Sequence, residues 1–116
     1  MPRLKLFAVA LFAAIGLVGC FGGGGRYVIG ESKAYEASLF RQNCAICHGP
    51  EGDGKILDDG TKVPSLREGE FKAKTENQIY DQIANGGNGM VGFRRQLSER
   101  EMRLLVDLVK RDLRGQ

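Results

Sequence analysis

Cys44-Ala45-Ile46-Cys47-His48 constrains what this chain can fold into more than any other stretch. C-x-x-C-H is the attachment signature for covalently bound haem. Two thiols three positions apart reach the two vinyl groups along one edge of a porphyrin and form thioethers. The adjacent imidazole then meets the iron from one face. Three other chemistries use part of this pattern. A thioredoxin-like redox pair needs a βαβ setting, which the chain does not display. A structural zinc site needs four ligands, and only Cys44, Cys47 and His48 offer themselves in this region. A plain disulfide leaves His48 without a role. The chain has 116 residues and no Trp, which is one domain's worth. A domain this small gains stability if an apolar prosthetic group fills its centre.

The second axial ligand follows by elimination. Iron in electron-transfer haem proteins is six-coordinate, with His and Met as a common pair. His48 is the only histidine, and the methionines are Met1, Met90 and Met102. Met1 belongs to an N-terminal segment expected to be removed. Met102 sits on the apolar stripe of the last expected helix, where methionine fills core space. Met90 lies in the glycine-rich run Asn85-Gly86-Gly87-Asn88-Gly89-Met90-Val91-Gly92-Phe93, where packing alone gives no reason for a large apolar residue. His48 and Met90 are therefore the candidate iron ligands, with Cys44 and Cys47 the candidate thioether attachments.

The N-terminus reads as an address. Arg3 and Lys5 precede an apolar run from Leu6 to Val18. That run is shorter than the roughly 20 residues a membrane span needs, but suits a signal-peptide core. It closes in Leu17-Val18-Gly19-Cys20, which resembles the lipobox of bacterial lipoproteins, where the cysteine becomes the lipid-bearing N-terminus. The expected organisation is a signal peptide over 1–19, a lipidated Cys20 with a Gly-rich tether over 20–31, and one domain over 32–116. Assigning Cys20 to lipid leaves no stray thiol beside Cys44 and Cys47. Two or more acyl chains on one cysteine suffice for stable anchoring. The formal charge of +3 falls close to neutral once Arg3 and Lys5 leave with the signal, so no electrostatic footprint for nucleic acid remains. The expected location is the cell envelope: the outer side of the cytoplasmic membrane or the periplasm, or the outer membrane.

Helical periodicity starts at Ser32 and runs to Asn43, with Tyr35, Leu39 and Phe40 on one side. From His48 to about Glu70 the chain reads as loop. Thr75-Glu76-Asn77-Gln78 and Ser98-Glu99-Arg100-Glu101 are capping boxes. They open a helix with Ile79 and Ile83 on one face, ended by Gly86-Gly87, and a last helix to about Leu113. The stripe of the last helix holds Met102, Leu105, Val109 and Leu113, with Leu104 and Leu108 alongside. No convincing strand is present, and so much irregular chain suggests a centre that is not made of packed secondary structure.

With these residues together, the chain from about Ser32 to Leu113 resembles a class I c-type cytochrome, of the small bacterial or cytochrome c6-like kind. The shared features are Cys47-His48-Gly49-Pro50-Glu51-Gly52-Asp53-Gly54, then Pro64-Ser65-Leu66, then Asn85-Gly86 with Met90-Val91-Gly92-Phe93. The resemblance implies an all-α cytochrome c fold, three to four helices with long loops wrapped around one covalently bound haem c. It also implies that the Pro64 carbonyl accepts the His48 imidazole N–H, a contact that sets ligand orientation and basicity. It implies crossed first and last helices. At that crossing this chain has Glu36, with Ala37 beside it, in place of the family's small glycine, and Leu108 in place of an aromatic. Val91 replaces the proline that follows the ligand methionine, leaving the Met90 loop less constrained. The implied function is one-electron transfer between redox protein partners, with no small-molecule substrate and no catalysis by the chain alone. The alternatives are an electron-transfer subunit of a larger oxidoreductase, and a haem sensor or peroxidase-like domain in which Met90 leaves the iron.

Overall fold

The computed structural model describes residues 24–116; the expected signal peptide, 1–19, and Cys20 lie outside the described residues. The elements in chain order are α1 (Tyr35–Asn43), α2 (Ala45–His48), β1 (Lys55–Ile56), β2 (Lys62–Val63), α3 (Glu76–Asn85) and α4 (Glu99–Asp107). A wider, π-helical turn, Leu108–Leu113, continues α4. The predominantly helical expectation holds, with one addition. The loop after the haem motif contains a small antiparallel hairpin, Lys55 opposite Val63 and Ile56 opposite Lys62. Gly60, with φ +84°, and the Asp59 carboxylate, which accepts the Thr61 backbone N–H at 2.8 Å, close its loop.

Both capping boxes form as written. The Thr75 hydroxyl accepts from the Gln78 backbone, and the Gln78 side chain accepts from the Thr75 backbone. Ser98 and Glu101 make the same reciprocal pair. The first helix starts later than Ser32. The Ser32 hydroxyl is engaged by the Tyr27 phenol at 2.7 Å and by the Ala34 backbone N–H at 3.2 Å, a local turn that competes with helix. Helical geometry begins only at Tyr35, after an uncapped Ala34.

The core joins Ala37, Leu39 and Phe40 of α1 to Ile79, Ile83 and Ala84 of α3 and to Met102, Leu105, Val106, Leu108, Val109 and Leu113 of the last helix, with Phe93 from the loop between them. Both α1 and α3 pack on α4. Ala37 is the small, fully buried residue of α1. Its neighbour Glu36 lies at the rim, 3.8 Å from the Arg111 guanidinium. The crossing thus uses Ala37 where the family's glycine was expected, and a fully buried Leu108 as the large side chain.

Residues before Ser32 also pack against the core. Ile29, expected in the tether, is fully buried. Glu51 accepts the backbone N–H groups of Ile29 and Gly30 at 2.7 and 2.8 Å. Arg67, its side chain 6% exposed, donates to the Tyr27 carbonyl at 2.8 Å and lies 3.4 Å from Glu51. A buried guanidinium needs this many acceptors to offset its desolvation. Glu51 and Arg67 thus fasten residues 27–30 to the loop that follows the haem motif.

Candidate functional site

The haem motif occupies a tight helical junction. Cys44 ends α1, its N–H bonded to the Phe40 carbonyl at 2.8 Å. Its own carbonyl then accepts from Cys47 at 3.2 Å and from His48 at 2.9 Å. Cys44, Cys47 and His48 thus sit at i, i+3 and i+4 of one helical turn, positions that share a face. Gly49, with φ +82°, terminates the turn. The chain then folds straight back, the Gly54 N–H donating to the His48 carbonyl at 2.9 Å. Gly54 has no room for a side chain: a Cβ there would stand 2.5 Å from the Val63 oxygen and 2.9 Å from the Pro64 carbonyl carbon. This close approach lays the Pro64 backbone beside the histidine segment.

The donor set suits a covalently attached haem. Cys44 and Cys47 are free thiols. Burial, with a smaller contribution from Cys47, pushes the Cys44 thiol up to about 12. Burial also lowers the His48 imidazole from its ordinary value, favouring the neutral ligand. Nδ1 of His48 is buried and has no hydrogen-bond partner among the described residues. The Pro64 carbonyl is not bonded to it. Exposed aliphatics flank the site, Ile46 within the motif and Val91 beside Met90. They offer apolar surface of the sort a macrocycle covers.

Met90 sits at the end of a tight turn. Gly87 and Met90 exchange backbone hydrogen bonds of 2.9 and 3.0 Å. The two residues between them, Asn88 and Gly89, have φ of +53° and +84°, the sign pattern of a type I′ turn, which favours Asn-Gly. The turn is pressed onto the end of α3. A Cβ on Gly86 would lie 2.4 Å from the Met90 oxygen, and one on Gly92 would lie 2.8 Å from the Ala84 oxygen. Beyond it, Phe93 and Arg94 donate to the carbonyls of Ile83 and Ala84. The Met90 side chain is half-buried at the edge of the core, whereas Met102 is only 2% exposed inside it. One residue here is not marked by any sequence signal: Gln82 of α3, whose Nε2 donates to the Gly87 carbonyl at 2.9 Å and to the Met90 sulfur at 3.7 Å.

A family model described as cytochrome c oxidase, cbb3-type, subunit III, matches residues 34–109. The chain belongs to this cytochrome family. It is 35% identical over 75 residues to the cytochrome bc1 complex cytochrome c subunit of Corynebacterium diphtheriae, and 36% identical over 73 residues to the protein of the same name from Corynebacterium efficiens. Those alignments take in 64% and 62% of this cytochrome but 25% and 23% of the relatives, so the chain spans about a quarter of their length. Among solved structures, the KustC0563 c-type cytochrome superposes with a TM-score of 0.55 at 29% identity, covering 63% of this chain and 90% of its own. A point mutant of the same protein gives 0.56 at 32% identity, covering 65% and 94%. The architecture is that of a c-type cytochrome, and the group it carries is covalently bound haem c.

Proposed function

We propose that this cytochrome is a one-electron carrier whose haem is attached through Cys44 and Cys47 and ligated by His48 and Met90. The iron, alternating between Fe(II) and Fe(III), supplies the one-electron chemistry. The chain's own contribution is to hold and shield it. The observation that carries the reading is the helical turn that sets Cys44, Cys47 and the neutral His48 on one face, with the buried Nδ1 free to donate. The Pro64 carbonyl is the proposed acceptor for that N–H, supported by the Gly54 contact that brings its backbone to the histidine segment. Met90 is the proposed sixth ligand because its thioether is half-buried on a pinned turn. Met90 in that role would keep O₂ and substrates from the iron, which favours a carrier over an enzyme. Met ligation raises the reduction potential.

The Corynebacterium relatives are named as subunits of a cytochrome bc1 complex. That favours redox protein partners in a membrane-associated complex, and an envelope location, for this chain too. Lipidation at Cys20, in the lipobox-like Leu17-Val18-Gly19-Cys20, would hold it there, as no helix among the described residues is long and apolar enough to cross a membrane. Arg26, paired with Asp53 beside the haem loop, lies six residues beyond that cysteine. Labelling cells with radioactive palmitate tests the anchor: label is expected on the wild type and absent from Cys20→Ala, and label on Cys20→Ala would remove the lipoprotein reading. Carbon monoxide tests the carrier reading. The reduced protein is expected to bind it slowly and weakly; fast, complete binding would favour the sensor or peroxidase-like alternative.

A further inference from the structure

We propose that Gln82 is a positioning residue for the sixth ligand, fixing both the turn that carries Met90 and the direction of its sulfur. This rests on Met90 being the ligand. The Gln82 amide nitrogen has two N–H groups and two partners, the Gly87 carbonyl at 2.9 Å and the Met90 sulfur at 3.7 Å. Both partners are acceptors only, so the amide sits with its nitrogen toward them and the reverse orientation has no bond to make. One N–H closes the turn Gly87-Asn88-Gly89-Met90 onto α3. The other takes one lone pair of the thioether and leaves the second for the iron. The family's proline after the ligand methionine is absent here, and exposed Val91 stands in its place. Gln82, one turn before the C-terminus of α3, supplies restraint at the point where the backbone lacks it. Glycines at 86 and 92 let the turn approach α3 closely enough for the amide to reach.

Imidazole competing for the ferric haem protein, followed by absorbance, tests this. Four proteins are compared: wild type, Gln82→Leu, Gln82→Glu and Met90→Ala. Both replacements at 82 are good helix formers, and the glutamate keeps the glutamine's shape while its carboxylate lacks any donor at neutral pH. Met90→Ala, with no thioether to displace, is expected to bind imidazole most tightly. Both Gln82 variants are expected to bind it on the order of tenfold more tightly than wild type, the scale of one lost hydrogen bond, with a weaker thioether-to-iron charge-transfer band. Wild-type affinity and an unchanged band in Gln82→Glu overturn the inference. So does a change in Gln82→Leu alone, which would be packing. If Met90→Ala binds imidazole no more tightly than wild type, the ligand assignment fails first and the inference falls with it. A change in Met90→Ala with none in the Gln82 variants overturns Gln82 only.

Discussion

Met90 and Met102 are the same side chain under opposite constraints. Met102 is enclosed by the core, so Met102→Ala should cost about 2–5 kcal/mol, the range for truncating a buried methionine, and leave the haem spectrum alone. Met90→Ala should barely move the denaturation midpoint of the apoprotein but remove the low-spin thioether signature while the haem stays covalently attached. Thermal melts and absorption spectra of the pair check both, and the reverse pattern would transfer the ligand role to Met102. The core role of Met102 was legible in the sequence because an apolar stripe marks it locally. The hold on Met90 was not legible, since the Gln82 contact joins two segments through a helix end and no local pattern announces it. Gly86 carries a second residue-scale expectation. Its φ of +71° and the 2.4 Å approach of the Met90 oxygen leave no room for a methyl group. Gly86→Ala should cost at least the roughly 1–2 kcal/mol of left-handed strain and weaken thioether ligation with it, seen as a lower melting midpoint together with easier displacement by imidazole.

Helix starts were the most legible elements, because a capping box is complete within four residues. Thr75 with Gln78 and Ser98 with Glu101 need nothing from the rest of the fold. The start of α1 was misplaced by three residues because Ser32 resembles a cap while its hydroxyl serves a turn that Tyr27 completes. The hairpin went unseen because strands of two residues, with Lys55, Ile56 and Lys62 all exposed, carry no alternating pattern. At the start of α4, Glu101 accepts from the Ser98 backbone and from the Tyr35 phenol of α1. The Tyr35 bond first, and the Ser98 bonds next, hold its carboxyl below the ordinary value of 4.5. A depressed carboxyl adds stability that is present above the unfolded value and lost as pH falls through the folded one. Wild type should therefore lose part of its melting-temperature advantage over Glu101→Gln as the pH drops from about 5 toward 3. An advantage independent of pH would remove the charge from the account. Ser98→Ala should cost about 1 kcal/mol, read by denaturant unfolding.

Across the whole molecule, the segment entering the domain and the loop leaving the haem motif are joined by Glu51 and Arg67. Arg67→Met should release the Tyr27 carbonyl and leave Glu51 on the Ile29 and Gly30 amides alone. The expected loss is on the order of 2 kcal/mol, as for hydrogen bonds to a charged group, with faster proteolysis before Ser32. Unchanged stability and cleavage would mean the clamp is incidental. That contact was not legible in the sequence: glycines 22–25 resemble a tether, and the buried Ile29 that follows them is held by Glu51 and Arg41, which no local pattern links to it. The irregular backbone between α2 and α3 is held by Arg67 on the Glu51 carbonyl and by Arg114, which donates to the carbonyls of Leu66 and Ala73. The most direct test is an optical redox titration of the protein matured in cells that attach haem c. The account predicts one low-spin haem per chain, titrating as a single one-electron wave, with a ferric thioether band that disappears in Met90→Ala. A high-spin spectrum, or a thioether band that survives in Met90→Ala, would contradict it.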